Sequence, residues 1–331
     1  MRYRKLGKTN LLVSEIGFGS WAIGGPVMAG NVPIGWGMVD DEISKKAIVK
    51  AVELGVNFFD TADFYGLGHS EELLGKVFKG KWNDIILASK VGNTLLEDGS
   101  AGNNYSKEYI LKACEQSLKR LNKETIDVYQ LHSARMQDLK QGECIEAMEQ
   151  LQHEGKIRYW GISLNTFEPQ QEAKFFVEHQ IGHTFQIAFS IINQIALKEV
   201  FPLAIENNYG IIARVPLHFG LLSGKFSREK TFPKNDHRSN RLNPELLNLS
   251  LDKLEKVFAL AERRKMEKDS FAMSFILSHQ GVSSVIPGIR NEAQAVANVK
   301  EFPTLFDEDI DFLHSYYESD LQLLMEAYRK G

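Results

Sequence analysis

What the chain lacks narrows it first. Only two cysteines, Cys114 and Cys144, occur in 331 residues. Both fall in segments patterned as amphipathic helix, which argues against a disulfide framework and for a reducing compartment. Positive charge is not in excess: the formal net charge is -4, so nothing in the balance would draw the chain to nucleic acid or an anionic membrane. No run approaches the ~18 apolar residues that cross a bilayer, and the opening MRYRKLGKTN is too polar for a secretory leader. The expected address is cytoplasmic and the expected partners are small molecules, with oligomerisation left open. No G-x-G-x-x-G follows a β-rich run, so a Rossmann site is not indicated. No His-x-His stands near the first such run, so no metal site is expected. Proline and glycine are scattered rather than clustered, no linker divides the chain, and residues 1–331 read as one domain.

What is present is a repeat. After RKLGKTNLLVSEI, which reads as a β-hairpin turned by Lys8, Thr9 and Asn10, eight short runs recur: EIGFGS, VNFFD, IILASK, DVYQLH, RYWGIS, TFQIAF, GIIARV and SSVIPG. Their near-continuous apolar character suits parallel strands covered on both faces. Segments such as DEISKKAIVKAVELG, SKEYILKACEQSLKRLN and GECIEAMEQLQHEGK, with apolar residues three and four apart, supply helices between them. The expected fold is α/β, a (β/α)8 TIM barrel with an N-terminal β-hairpin and extra C-terminal helices. Residues 217–243 break the period and read as a long functional loop.

In such a barrel, residues at the C-terminal ends of strands face one pocket. Asp60, Lys90 and His132 end the second, third and fourth runs, and Tyr65 follows Asp60 on the next loop. Taken singly, each has an ordinary structural use. Gathered at one mouth, they form a proton-delivery device: Asp60 holds the Lys90 ammonium, Lys90 is expected to lower the Tyr65 pKa, and Tyr65 gives its proton to a carbonyl oxygen that His132 orients.

DTADFYGLGHSEELLG, ASK and QLH resemble the signature regions of the aldo-keto reductases, and IGFGSWAIGG is similar to that family's first-strand segment. The likeness covers nearly the whole chain and is closest to the branch of bacterial general reductases and potassium-channel β subunits. It implies a reductase of aldehydes or ketones that uses NADP(H), with Asp60, Tyr65, Lys90 and His132 as the catalytic set. Cofactor contacts implied are Ser20 and Trp21 from the first strand, Asp60, and Ser163, Asn165 and Gln186 at the carboxamide. Arg214 stands where many relatives stack an aromatic residue on the nicotinamide. Pro216, Leu217, Gly220, Leu222, Ser223 and Lys225 match the pyrophosphate wrap, which makes 217–243 a strap over the cofactor. Arg238, Gly288, Arg290, Gln294 and Asn298 match the adenosine side, where a guanidinium and a helix start favour a 2'-phosphate. Trp21, Phe64, Tyr65 and His132 line the implied substrate cup. The alternative is an NADP-binding redox sensor with little turnover. The channel β subunits carry asparagine where this chain has His132, and that weighs against it.

Overall fold

A computed structural model describes residues 1–330. Eight parallel strands form one sheet: β1 (Phe18–Gly19), β2 (Phe58–Asp60), β3 (Ile86–Val91), β4 (Ile126–His132), β5 (Ile157–Ser163), β6 (Thr184–Ala188), β7 (Gly210–Arg214) and β8 (Val282–Ile286). Each pairs with its neighbour in chain order. Parallel bridges from Ile16 to Val285 and from Gly19 to Gly288 bring β1 back to β8. The result is the TIM barrel expected from the repeat. Helices α1 (Asp41–Glu53), α2 (His69–Phe78), α3 (Lys107–Leu121), α4 (Glu143–His153), α5 (Gln170–Glu178), α6 (Val200–Glu206), α7 (Lys268–Leu277) and α8 (Glu292–Asn298) follow the strands in turn.

Local chemistry sets these boundaries. Asp40 accepts hydrogen bonds from the amides of Glu42 and Ile43 at the start of α1, and Ser106 accepts from Tyr109 at the start of α3. Asn122, at φ 50, closes α3 in the left-handed conformation that asparagine tolerates. The expected strand Glu15–Ser20 is shorter than its apolar run. At Ser20 the chain coils into a 3-10 turn reaching Ile23, so the strand ends at Gly19.

Two layers of apolar side chains make the core, and strand alternation separates them. Phe58, Ala88, Val128, Ile212 and Ile286 fill the barrel interior, and Leu6, Leu11 and Val13 pack against them from below. The last three belong to an antiparallel hairpin of strands Tyr3–Lys5 and Leu12–Ser14, which closes the floor. Phe59, Leu87, Tyr129, Trp160 and Ile211 point the other way, into the layer shared with Leu73, Cys114, Met148 and Phe176 of the helices. Each fully buried aliphatic or phenyl side chain is worth about 1.5–3 kcal/mol. Both cysteines are free and buried here. Outside the repeat lie a helix Pro244–Arg263 and the C-terminal pair Asp307–Tyr316 and Gln322–Lys330, the last two joined by a π turn. No helix of the described residues is long and apolar enough to cross a membrane.

Candidate active site

The alternation that fills the barrel also aims the polar residues. Positions two apart share a face, so an interior Phe58 sends Asp60 inward, Ala88 sends Lys90, Val128 sends Gln130 and His132, and Ile212 sends Arg214. All stand at the carboxyl ends of their strands, opposite the hairpin. The Lys90 ammonium, with its side chain fully buried, donates to Asp60 Oδ1 at 2.6 Å, to the Thr61 carbonyl at 2.8 Å and to the Tyr65 hydroxyl at 3.1 Å. Gln186 Nε2 donates to Asp60 Oδ2 at 2.7 Å and Gln130 Nε2 reaches the same oxygen at 3.4 Å. Asp60 is therefore held on both oxygens.

Tyr65 is placed by its loop. Its amide donates to the Ala62 carbonyl, and the Ser70 amide donates back to its own carbonyl. Gly66 takes φ 66, and a Cβ there would stand 2.1 Å from the Gly24 carbonyl oxygen, so only glycine lets the loops after β1 and β2 touch. The Trp21 ring stacks on Tyr65 with centroids 6.0 Å apart, and His132 meets the phenol edge-on at 5.8 Å. The Tyr105 hydroxyl donates to the His132 carbonyl at 2.7 Å and fixes the end of β4.

Electrostatics here differ in balance from the expectation. Burial raises the Tyr65 pKa above its ordinary 10.0, and Lys90 pulls the other way without overcoming it. Lys90 is itself opposed by burial, yet Asp60 and Tyr65 carry its pKa above 10.5, so the ammonium stays charged. Burial, and then the charges of Lys90 and Arg214, push His132 well below 6.5. The imidazole is neutral near pH 7, its Nδ1 buried without a partner.

The remaining candidates occupy the rest of the mouth. Ser20 Oγ donates to the Asp60 carbonyl at 2.8 Å, Trp21 Nε1 donates to the Ile34 carbonyl at 3.1 Å, and Phe64 is half-buried beside Tyr65. Ser163 Oγ lies 3.5 Å from Gln186 Oε1 across β5 and β6. Asn165 is committed elsewhere, its Oδ1 accepting from the amides of Phe167 and Glu168 as the chain turns towards α5. Arg214 Nη2 donates to the Leu164 carbonyl and Thr166 Oγ1. Directly after it Val215, a β-branched residue, sits at φ 57, and His218 and Phe219 also take positive φ. Strain of this kind costs about 1–3 kcal/mol per residue and concentrates at ligand sites. Pro216, Leu217, Gly220, Leu222 and Ser223 lie on this strained segment, Leu222 with its side chain in the core, and exposed Lys225 follows. Arg290 donates to the carbonyls of Trp36 and Met38, and its amide donates to Gln294 Oε1. Asn298 Nδ2 reaches the carbonyl of Gly288, the residue that bridges to Gly19.

Residues 217–243 fold down onto the loop after β1. The His237 amide donates to the Gly35 carbonyl, and its ring lies 4.4 Å from Trp21 and 4.5 Å from Trp36. Arg238 pairs with Asp236 through two nitrogens and lies over Trp36. Four participants were not singled out from sequence: Thr61, Gln130, Trp36 and His237. Gln130 carried a usable signal, since it stands two residues before His132 and shares its face. Trp36 and His237 fall in loops of expected function, but their meeting depends on two segments distant in the chain and no local pattern signals it.

The family model for the aldo/keto reductase family matches residues 15–318. The chain belongs to the aldo/keto reductases. It is 31% identical over 329 residues to the uncharacterized oxidoreductase YqkF of Bacillus subtilis, covering 97% of this chain and 98% of that one. A probable voltage-gated potassium channel subunit beta of Oryza sativa is 26% identical over 351 residues, covering 99% and 100%. Among solved structures, the holo form of aldo-keto reductase AKR11C1 from Bacillus halodurans superposes with a TM-score of 0.75 at 31% identity over 96% of each chain. This aldo/keto reductase thus has relatives both among bacterial oxidoreductases and among channel subunits.

Proposed function

We propose that this aldo/keto reductase reduces aldehydes or ketones to alcohols with NADPH as hydride donor. The observation that carries the reading is the Tyr65 hydroxyl 3.1 Å from a buried ammonium that is itself 2.6 Å from Asp60. NADPH, when bound, supplies the hydride; everything else is work for the chain's own groups. Tyr65 protonates the carbonyl oxygen as negative charge develops there. Lys90 stabilises the resulting phenolate, and Asp60 keeps Lys90 in place. Neutral His132 donates a hydrogen bond from Nε2 to the same oxygen and orients it. Trp21 and Phe64 give an aromatic wall that favours an apolar substituent on the carbonyl carbon.

Fit to a dinucleotide is supported from the other side of the mouth, where Arg214 Nε, Trp36 Nε1 and both His237 ring nitrogens are buried without partners. Such groups are costly to leave unpaired, about 1–3 kcal/mol each. Ser163 and Gln186 would hold a carboxamide, and the strained segment with Lys225 would hold the pyrophosphate. Asn165 would serve by turning the backbone there. Arg290, Gln294, Asn298 and Arg238, with Gly288 giving close approach, would hold the adenosine 2'-phosphate. That is the ground for NADPH over NADH. The test is NADPH oxidation, followed by absorbance, with a panel of aldehydes and ketones on native protein and Tyr65→Phe. The variant is expected to lose about 10²–10⁴ in kcat/KM while binding NADPH as before; equal rates would remove Tyr65 as the acid.

A further inference from the structure

Arg214 closes β7 in register with Ala188 of β6, and its side chain runs back across the sheet. Nη2 donates to the Leu164 carbonyl at 3.1 Å and to Thr166 Oγ1 at 3.0 Å, both on the loop beyond β5. The guanidinium is therefore stretched past the ends of β6 and β5, where Gln186 and Ser163 sit. Neither of its acceptors is a carboxylate, and Nε is buried with no hydrogen bond at all. Its charge reaches the reacting groups: it favours the Tyr65 phenolate and disfavours a protonated His132. At the tetrad the Lys90 charge is balanced by Asp60. Arg214 touches no carboxylate and feels Asp60 only at a distance, and Arg241 adds a second cation nearby, so this side of the mouth carries surplus positive charge.

Hydride transfer changes the charge beside which Arg214 sits. A C–H bond of the dihydronicotinamide breaks with both electrons and a new C–H bond forms at the carbonyl carbon. The carbonyl π pair moves to oxygen, which takes the Tyr65 proton. The carbonyl is reduced to an alcohol, and the nicotinamide ring is oxidised from neutral to singly positive. A fixed guanidinium opposes that second state by Coulomb repulsion, in a mouth where water screens it poorly.

Building on the NADPH reading above, we propose that Arg214 sets the balance of the bound nicotinamide couple. It makes the site hold NADPH more tightly than NADP+ and ease alcohol oxidation on the enzyme beyond what a neutral residue would permit. The substrates this favours are alcohol and carbonyl pairs of similar stability, which the enzyme can run in both directions.

Equilibrium binding decides it. Dissociation constants for NADPH and NADP+ would be measured by quenching of protein fluorescence on native protein, Arg214→Lys and Arg214→Gln, with Arg214→Met as a second neutral variant should the amide fail to fold. The ratio Kd(NADP+)/Kd(NADPH) is expected to fall about tenfold in the neutral variants, equal to about 30 mV for a two-electron couple. It should remain near the native value in Arg214→Lys, which keeps the charge and loses the fork. A role confined to holding Leu164 and Thr166 would move both dissociation constants together and affect all variants alike. An unchanged ratio in the neutral variants, or an equal fall in Arg214→Lys, overturns the inference while leaving the NADPH reading intact. A native protein that binds neither form overturns both.

Discussion

The two sides of the barrel mouth are built on opposite plans. Around β2 to β4 most polar groups have a partner: Lys90 has three acceptors, Asp60 is held on both oxygens, and Ser20 and Ser70 close the network behind them. Around β7 and the strap, Arg214, His218, His237 and Trp36 each leave a buried nitrogen without a partner, and the backbone at Val215, His218 and Phe219 is strained. The first side is preorganised around Lys90 and Asp60, with Gln130 Oε1 and His132 Nδ1 among the few buried atoms left without a partner. The second holds buried nitrogens without partners together with unfavourable φ angles. Under the function proposed above, a site that presents the same acid in every turnover yet takes up and releases a dinucleotide gains from that division.

The sharpest way to break the contrast is on the preorganised side. Lys90→Met leaves the Asp60 carboxylate buried with only amide donors, so a loss of about 3–5 kcal/mol in unfolding free energy is expected. Chemical denaturation would show it, together with near-complete loss of turnover. A destabilisation below 1 kcal/mol would mean that the pair behaves as a surface ion pair.

Acid probes the other side. Burial holds the folded pKa of His218 and of His237 at about 3, against an ordinary 6.5. Between those values the unfolded chain binds protons that the folded chain refuses. Stability contributed by the neutral rings is thus intact above pH 6.5 and declines as pH falls towards 3. Each ring contributes a loss of about 2 kcal/mol between pH 7 and 5. Urea unfolding of His218→Phe at those two values should show a smaller pH dependence than native protein; the same slope in both would place His218 in contact with water. The smallest effect expected is at Arg290, proposed above to meet the adenosine 2'-phosphate. Arg290→Ala should raise KM for NADPH about tenfold, or about 1.4 kcal/mol, and change KM for NADH less. Equal changes for the two cofactors would assign Arg290 to the Trp36 and Met38 carbonyls alone.

Much of the preorganised side was legible in the sequence, because strand ends and alternation convert position directly into direction. VNFFD, IILASK and DVYQLH each end on the residue that reaches the mouth, and a period of two carries that residue inward with its buried neighbour. The strap side was legible only as a long polar interruption. Its 3-10 segment at His218–Ser223, the short helix Arg238–Arg241 and the seating of His237 between Trp21 and Trp36 arise from contacts between loops some two hundred residues apart, which no local pattern encodes. The net shift at Tyr65 escapes the sequence for a related reason. Lys90 was visible as a neighbour, but the depth of burial that outweighs it depends on the finished barrel.

The hairpin floor decides how the molecule can be held. Tyr3 is pinned to the Gly55 carbonyl at the foot of the barrel, so a tag or tether fused ahead of Met1 emerges on the end away from the mouth. The last helix instead lays Tyr328 against His218, at the root of the strap. A bead, electrode or fusion partner attached by the N-terminus stays clear of the mouth, whereas the same attachment at the last helix lies against the root of the strap.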